Sequence, residues 1–363
     1  MNVVCYLNML SHGGAERAMS VLANGLHRLG HTVTMVTDYS APDEYPLDEG
    51  IERQILDGTF SNTDRAELFG RTVSRIRKLR KICKQKKADV VVSFMEEANS
   101  RALLATRSLK TKNLISVRND PKQLRRSRTK RMQIDLLYPM ADGCVYQTET
   151  ARQSMPAKLH KKSRVIFNPV SDVFYNVQGQ PGTQKRVVTC GRLVKQKRFD
   201  ILIDAFSRMC DEFPEYTLDI YGTGTDMDKL QTQIDTLDRQ DQICLMGRCE
   251  DVPDTIKDTS LFVMSSDFEG LPNALMEAMA LGLPVVSTDC GGGGARALIE
   301  DGVDGLIVPC GDADALADAI RKSLADPDAA LQRGKKAGEK AKSFSTEKVV
   351  AQWEAYIKQI VEK

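Results

Sequence analysis

Short runs of apolar, often β-branched residues alternate with amphipathic stretches along the first half of the chain. The runs read VVCYL, TVTMVTD, DVVVSF, NLISVR and GCVYQ, and stretches with helical spacing separate them. Strands that alternate with helices in this way are typical of a parallel sheet covered by helices on both faces. We therefore predict a doubly wound α/β domain over residues 1–170.

The alternation stops at residues 168–185, where NPVSDVFYNVQGQPGTQK is rich in turn formers and lacks an apolar period. We interpret this stretch as a linker. Beyond it the same rhythm returns in RVVTCG, TLDIYG, ICLMG, LFVMS, PVVSTD and GLIVP. The pattern predicts a second domain of the same architecture over residues 171–345, and a length of 363 residues suits two domains of similar size.

The last segment, residues 346–363, predicts an amphipathic helix. Its apolar stripe consists of Val349, Trp353, Tyr356, Ile357 and Ile360. Such a stripe needs an apolar surface to lie on. The sequence leaves open whether this helix covers the second domain or crosses back to the first.

Charge is distributed unevenly between the two halves. Residues 1–170 contain 29 Lys and Arg against 17 Asp and Glu, whereas residues 171–363 contain 22 against 32. The asymmetry points to an anionic partner for the first half. Segments 71–87 and 122–131 carry nine and six basic residues. Two interpretations stay open for them: a solvated basic face, or contact with an anionic membrane. Nucleic acid is disfavoured, because no aromatic residue interleaves either segment to stack on bases.

Cysteine spacing and hydropathy indicate the cellular compartment of the protein. The nine cysteines are scattered and none forms a Cys-x-x-Cys pair, which is typical of the reducing cytosol. Cys244 and Cys249 lie closest together, but no second pair or His completes a zinc site, so we expect no metal there. We find no secretory leader and no uninterrupted apolar run of about 18 residues. We therefore expect a cytoplasmic protein that does not span a membrane.

Three glycine-containing loops follow predicted strands, where open parallel sheets bind ligands. The first, in SHGGAER, places Gly13 and Gly14 before a helix, where backbone amides and the helix dipole favour an anion. A tight turn without a ligand is the alternative. A dinucleotide site would require G-x-G-x-x-G, which this loop lacks, although Asp38 ends the second strand as a ribose-binding acid would.

The second loop, GRLVKQKR at 191–198, begins with Gly191. Arg192 supplies a planar guanidinium and Lys197 a point charge, and this combination suits a diphosphate. A solvated basic loop is the alternative.

The third loop leads from SSDFEGLP into a helix with the sequence NALMEAMA. Glu269 lies in the loop, Pro272 suits a first helical turn, and the helix start exposes amides fit for phosphate. Glu277 follows Glu269 by eight residues, so both carboxylates face one cleft if the loop curls over the helix start. We expect one to hold sugar hydroxyls and the other a ribose.

Two Asp-x-Asp pairs, Asp226 with Asp228 and Asp312 with Asp314, raise the alternative of a metal-dependent transferase of another architecture. Both pairs open predicted helices, where an aspartate accepts hydrogen bonds from free amides. We interpret both as helix caps.

These motifs resemble those of the retaining glycosyltransferases of family 4, whose GT-B architecture consists of two Rossmann-like domains facing each other across a cleft. The resemblance covers nearly the whole chain. It rests on GGAER at 13–17, NPV at 168–170, GRLVKQK at 191–197, YGTG at 221–224, FEGLPNALMEAMALGLPVV at 268–286 and DGVDGLIVP at 301–309.

The resemblance implies a role for each site residue. Arg192 and Lys197 look like the pair that neutralises the leaving diphosphate, Glu277 like the ribose ligand and Glu269 like the carboxylate on the donor sugar. Such enzymes typically need no metal and no cofactor besides their nucleotide-sugar substrate. The implied donor-binding residues are Gly13, Gly14, Gly191, Gly222, Phe268, Gly270, Leu271, Pro272, Asn273 and Glu277.

One position departs from the family pattern. Many members place a His after the fourth strand to contact the donor sugar, whereas this chain has Arg118 and Asn119 there, as in members that resemble capsule and O-antigen transferases. We expect Arg118 or Asn119 to contact the donor sugar or the acceptor. The usual acid after the last glycine pair is also replaced, by Ala295 and Arg296.

The resemblance implies transfer of a sugar from a nucleotide donor, with UDP favoured, to a glycan or lipid-diphosphate acceptor. Synthesis of a surface polysaccharide such as capsule or lipopolysaccharide, at the inner face of the cell membrane, is the implied setting. Two other classes stay open. A nucleotide-sugar epimerase would act on the donor alone, and a non-catalytic sensor would bind the donor without turning it over.

Overall fold

The computed structural model describes residues 1–11, 13–58 and 65–363, with side chains from residue 70 onward in the last of these ranges. The chain forms two compact units. The first consists of Met1–Pro169 together with Thr346–Lys363, and the second of Val170–Ser345.

The described part of the first unit contains a parallel sheet with the strand order β3-β2-β1-β4-β5-β6-β7. Its strands are β1 Asn2–Leu7, β2 Thr32–Thr37, β3 Glu52–Ile55, β4 Val90–Phe94, β5 Lys112–Val117, β6 Gly143–Tyr146 and β7 Ser163–Val165. The helices before the chain leaves this unit are α1 Gly14–Arg28, α2 Arg65–Gln85, α3 Glu96–Thr106, α4 Pro121–Leu124, α5 Arg128–Leu137, α6 Glu149–Gln153 and α7 Ala157–His160.

The described part of the second unit repeats this architecture with the strand order β10-β9-β8-β11-β12-β13, again parallel. Its strands are β8 Gln184–Cys190, β9 Thr217–Tyr221, β10 Ile243–Gly247, β11 Thr259–Met264, β12 Val285–Thr288 and β13 Leu306–Val308. Its helices are α8 Val173–Asn176, α9 Phe199–Ser207, α10 Met227–Thr236, α11 Val252–Ile256, α12 Asn273–Ala280, α13 Gly294–Leu298, α14 Ala313–Ala325 and α15 Pro327–Ala341.

The last helix, α16 (Thr346–Val361), belongs to the first unit. Its apolar stripe joins the core formed by α1 and the central strands. Trp353 is 1% exposed, and its ring centroid lies 5.5 Å from that of Phe94 at the end of β4. Of the two places that the sequence left open for this helix, the structure shows the return to the first unit.

The prediction of two doubly wound parallel sheets is confirmed. Strand β1 is buried over residues 3–7 and strand β8 over residues 187–189, because helices cover both faces of each sheet. Two strands of the first unit were not predicted from the sequence. Strand β3 has the sequence ERQI with no buried residue, and β7 has three residues. Both lie at the ends of the sheet order, where a strand needs no apolar alternation.

Parallel strands bring all their carboxyl ends to one edge of a sheet, and there the loops that carry the predicted site residues begin. In the second unit these loops follow β8, β9 and β11. In the first they follow β1 and β5. Within the described residues, we find no helix with the length and apolar character needed to cross a membrane.

Candidate functional site

The loops after β8 and β9 in the second unit touch backbone to backbone. The amide of Gly191 donates to the carbonyl of Tyr221 at 2.9 Å, and the amide of Gly222 donates to the carbonyl of Gly247 at 2.7 Å. Gly222 has φ +144°, and a Cβ there would overlap the carbonyl oxygen of Gly191. Only glycine combines this positive φ with the absence of a Cβ atom. These glycines therefore fix the shape of the loop that carries Arg192 and Lys197.

The predicted catalytic residues Lys197 and Glu269 form an ion pair. The Lys197 ammonium lies 2.6 Å from Oε1 of Glu269, and the Ser266 hydroxyl donates to the same oxygen at 2.9 Å. The two charged side chains are 19% and 12% exposed. Partial burial strengthens such a charge-assisted contact relative to one in water. Two residues 72 positions apart in sequence thus meet in one partly shielded site.

Three hydrogen bonds join the loop after β8 to the loop after β11. The Ser265 hydroxyl donates to the carbonyl of Lys197 at 2.8 Å. The amide of Asp267 donates to the carbonyl of Gln196 at 3.0 Å, and the Gln196 side chain donates to the carbonyl of Phe268 at 2.7 Å. These bonds fix the relative position of the two loops, so the ion pair rests on a rigid base.

The loop after β12 closes against the same region. The amide of Glu269 donates to the carbonyl of Gly291 at 2.9 Å, and Gly291 returns a 3.0 Å bond to the carbonyl of Asp267. A Cβ on Gly294 would lie 2.6 Å from the carbonyl oxygen of Gly270. Glycine at 294 therefore allows the third loop to approach closely.

Helix α12 begins directly after this loop. Pro272 was expected within the first helical turn, but the structure places it at the N-cap in an extended conformation, with ψ 106°, and the helix starts at Asn273. The first amides of any helix lack intrahelical acceptors, which leaves donors available at this end. Leu271 is 6% exposed and Glu277, one turn into the helix, is 7% exposed. Glu277 is thus a buried acid and not a solvated surface residue.

Arg192 differs from its predicted companion. Its side chain is exposed, and it pairs with no carboxylate of the described residues. One cation of the loop is therefore held by Glu269, and the other is open to an incoming anion.

The predicted glycine pair in the first unit lies at the start of α1. Gly13 is the N-cap residue and Gly14 the first helical residue, while His12 of the same motif lies outside the described residues. The Glu16 carboxylate folds back over this start, since a Cβ on Gly13 would overlap its oxygen. A carboxylate there interacts favourably with the helix dipole. An anion at this position would meet a negative charge as well as free amides.

The structure separates the two residues that replace the family His. Arg118 is 6% exposed, with its guanidinium carbon 3.7 Å from the Phe94 ring centroid and one nitrogen bonded to Asn168. Burial without a carboxylate lowers the pKa of Arg118 to about 9. Asn119 is exposed, and its side-chain amide donates to Glu96 at 3.4 Å. Asn119 alone of the two faces solvent.

Glu96 is a candidate functional residue that the sequence analysis did not predict. It opens α3 directly after the buried strand β4, at the carboxyl edge of the first sheet. Met95 before it has φ 76°, a strained value for a side-chain-bearing residue, and such strain clusters at functional sites. Burial raises the pKa of Glu96. An acidic residue that closely follows an apolar strand is the sequence feature that could have identified Glu96.

Part of the basic segment 71–87 is structural. Arg75 is 6% exposed and pairs with Asp57 at 2.6 Å and with Asp38 at 3.6 Å. Lys78 also pairs with Asp57, and Lys86 pairs with Glu52. These cations hold α2 against strand ends and do not form a free basic face.

The Asp-x-Asp pairs are found at helix starts as predicted. Asp312 caps α14 by accepting from the amide of Ala315 at 2.9 Å. Asp226 holds the N-cap position of α10 but accepts no capping bond from that helix. Among the residues that the structure describes, no group of three or more potential metal ligands occurs.

Two family models match the chain and meet near its domain boundary. "Glycosyltransferase Family 4" matches residues 12–173, and "Glycosyl transferases group 1" matches residues 172–343. An uncharacterized glycosyltransferase of Haemophilus influenzae is 23% identical over 97% of this chain and 98% of its own length. A Campylobacter jejuni alpha-1,4-N-acetyl-D-galactosaminyltransferase, named for a GalNAc-diNAcBac-PP-undecaprenol acceptor, is 25% identical over 97% of both chains. An exopolysaccharide phosphotransferase of Streptomyces coelicolor is 32% identical, but the match spans only 24% of that protein.

Solved structures share the fold over nearly the full length. Anabaena Alr3699/HepE in complex with UDP superimposes with a TM-score of 0.79 at 18% identity, covering 99% of this chain and 100% of the other. Sucrose-phosphate synthase from Thermosynechococcus elongatus gives a TM-score of 0.86 at 18% identity, covering 99% of both. Two matched domain models, full-length relatives and this shared architecture agree: the chain belongs to the family 4 glycosyltransferases and has the two-domain GT-B fold.

Proposed function

We propose that this protein is a retaining, metal-independent hexosyltransferase that moves a sugar from a nucleotide-sugar, in the first instance a UDP-sugar, to a glycan or lipid-diphosphate acceptor of surface polysaccharide synthesis. The observation that carries the proposal is the Lys197–Glu269 pair, which joins the loop before α12 to the loop that also carries the exposed Arg192. The structural neighbour with UDP bound supports the nucleotide.

Each group of the second unit has a task in this proposal. Arg192 and Lys197 neutralise the diphosphate, and the amides of Leu271–Asn273 bind phosphate or sugar oxygens. Glu277, held in a buried position on α12, accepts hydrogen bonds from the ribose hydroxyls. Glu269 contacts the donor sugar and keeps the Lys197 ammonium beside it. In the first unit, the start of α1 with Gly13 and Gly14 is proposed by itself as a position that binds an anionic group.

Catalysis then consists mainly of electrostatic stabilisation of the leaving group. The bond between the anomeric carbon and the diphosphate oxygen breaks toward an oxocarbenium-like state, and its electron pair stays on the diphosphate. The acceptor hydroxyl adds to the same face of the sugar and passes its proton to a phosphate oxygen. Fixed cations and helix amides stabilise this growing negative charge without reorganising.

The proposed acceptor places the reaction at the cytoplasmic face of the cell membrane. The Campylobacter relative is named for a substrate linked through a diphosphate to undecaprenol. The excess of basic residues in the first half of the chain, including 71–87 and 122–131, complements both such a diphosphate and an anionic membrane.

The test incubates the purified protein with a panel of UDP- and GDP-sugars and lipid extracts, and measures free nucleotide and glycosylated lipid. Transfer releases nucleotide only when an acceptor is present, and proton NMR of the product gives the anomeric configuration. A chelator leaves the rate unchanged. Conversion of the donor without acceptor would indicate an epimerase, and binding without turnover a sensor. Inversion at the anomeric carbon would contradict the retaining mechanism.

The site assignment is tested with one variant of the loop after β8 and one of helix α12. Lys197→Ala is expected to lower kcat at least ~100-fold, because a lost electrostatic donor costs about 3 kcal/mol of barrier. Glu277→Ala is expected to lower kcat/KM at least ~10-fold, because the ribose hydroxyls lose a charged acceptor. Lys195→Ala is the matched control, since Lys195 is an exposed lysine of the same loop with no assigned role. Full activity in either site variant would refute the assignment.

A further inference from the structure

The two most exposed large apolar side chains of the described residues lie on α5. Met132 is 68% exposed and Leu136 71% exposed. They are four residues apart, so they share one face of the helix. Met140, in the turn that follows, is 43% exposed, whereas Ile134 on the inner side of α5 is 3% exposed. The helix therefore packs through Ile134 and turns a second apolar stripe to solvent.

Five exposed basic side chains lie on α5 and in the segment directly before it: Lys122, Arg126, Arg128, Lys130 and Arg131. None of them forms a salt bridge with a carboxylate of the described residues, although Lys130 interacts electrostatically with Glu96. The acid of the helix, Asp135, is neutralised by Arg125 at 2.7 Å. This part of the unit thus combines exposed apolar groups with an excess of positive charge.

We propose that the outer face of α5 docks on an anionic lipid bilayer, with Met132 and Leu136 inserted at the boundary of headgroups and acyl chains. Amphipathic helices with apolar and cationic groups bind in this way, because apolar burial and attraction to anionic headgroups add. Arg128 lies one turn before Met132 on the same face, where its guanidinium can reach a lipid phosphate.

Other occupants fit this surface less well. A second copy of the chain related by a two-fold axis would bring five cations against the same five, and like charges repel. Nucleic acid would match the charge, but α5 offers no aromatic side chain for stacking, and its apolar pair would stay unused. A bilayer uses both features at once.

Helix α2 provides the contrast within the same unit. Its exposed cations Arg77, Lys81 and Lys84 have no exposed large apolar neighbour in the described part of the helix. Electrostatic attraction alone is weak and is screened by salt. The sequence left a solvated basic face and membrane contact open for both basic segments, and the exposed apolar side chains make α5 the better candidate for membrane contact.

Hydrogen bonds also connect the docking surface to Glu96 and Asn119 at the carboxyl edge of the first sheet. The Gln133 side chain on α5 donates to the Ser100 hydroxyl on α3 at 2.7 Å, and Ser100 bonds back to the carbonyl of Glu96. Glu96 is the partner of Asn119. This step rests on the proposed function: a helix seated on the bilayer beside this edge would hold the edge close to a lipid-linked acceptor.

The experiment measures flotation of the full chain with vesicles of phosphatidylcholine containing phosphatidylglycerol, and with vesicles of phosphatidylcholine alone. Wild type is expected to float with the anionic vesicles. Met132→Ser with Leu136→Ser should weaken that binding at least ~10-fold, because each side chain loses its apolar burial. Arg128→Glu with Arg131→Glu should weaken it to a similar degree. All four positions are exposed, so an unchanged thermal melt confirms folding.

The matched control is Arg77→Glu with Lys81→Glu, which changes the charge by the same amount on α2 and should reduce binding less than the α5 charge variant. Equal loss from both charge variants, with none from the apolar variant, would overturn docking by α5. A wild-type dimer in ultracentrifugation that the apolar variant dissociates would identify a second copy as the occupant. If vesicles bind through α5 but no donor of the panel is turned over, the proposed function fails while the docking stands.

Discussion

The carboxyl edges of the two sheets carry charged clusters of opposite character. In the first unit, Asp38 is 1% exposed and accepts hydrogen bonds from Tyr6 and Arg101, each at 2.7 Å. In the second, Lys197 and Glu269 keep part of their surface in water, and Arg192 has no described acidic partner. The first cluster is closed and internally neutral, whereas the second leaves a cation for a ligand. One architecture therefore carries a closed ion-pair cluster in one unit and a partly exposed one in the other, and only the second has the open cation that the proposed function requires.

The largest expected effect comes from opening the closed cluster. Arg101→Leu leaves the buried Asp38 carboxylate without its nearest cation, which should cost about 3–5 kcal/mol of unfolding free energy. Urea denaturation measures the loss. Arg28→Leu is the control, because its pair with Asp48 is exposed and should be worth less than about 1 kcal/mol. Similar costs for both variants would contradict the distinction between a structural and an exposed ion pair.

The second prediction concerns the open cluster. Glu269→Gln should lower kcat by ~100-fold, about 3 kcal/mol of barrier, because the carboxylate on the donor sugar is lost. The same change should cost only about 1 kcal/mol of unfolding free energy, since the pair is partly hydrated. Steady-state kinetics and urea denaturation on one preparation separate the two. A large stability loss with unchanged kcat would make this pair structural, like that of Asp38.

The smallest effect is a pH dependence at Glu96. Burial raises the pKa of Glu96, so the folded state holds this proton more tightly than the unfolded state. Its contribution to stability is therefore present below the ordinary Glu value of about 4.3 and is lost as pH rises through the higher folded pKa. Glu96→Gln should remove that decline and be more stable than wild type near neutrality, by about 1 kcal/mol or less.

Denaturant titrations of wild type and Glu96→Gln at acidic and neutral pH measure this effect, with Glu339→Gln on α15 as the control. Glu339 is exposed and lies in the second unit, so its replacement should leave the pH profile nearly unchanged. A wild-type stability that instead rises with pH through this range, and does so only when Glu96 is present, would reverse the assigned sign.

The strands with apolar runs could be predicted because a strand buried on both faces consists of consecutive apolar residues. Strand β3, with the sequence ERQI, was not, since an exposed edge strand is specified by its neighbour β2 and not by its own pattern. The destination of α16 was equally open, because an apolar stripe shows that a helix is buried but not against what. The structure shows the destination, because Trp353 of this stripe packs on Phe94 of the first unit.

The site followed the same division. The residue types of the site and the loops that hold them could be predicted, since glycines and charged residues that directly follow apolar strands indicate ligand-binding loops. The Lys197–Glu269 contact spans 72 residues and depends on hydrogen bonds between two loops, which no spacing rule provides. Arg118 was expected to contact the donor sugar or the acceptor. Its burial against Phe94 reflects the aromatic surface left at the end of β4, a tertiary feature that the motif does not contain.

The return of α16 to the first unit has a consequence for synthesis on the ribosome. The first unit's core includes Trp353 and Ile357, which emerge after every residue of the second unit. Domains usually complete folding in the order in which they leave the exit tunnel. Here the order is inverted: the first unit must wait, with an unfilled groove beside α1, until α16 has followed the whole second unit out of the tunnel.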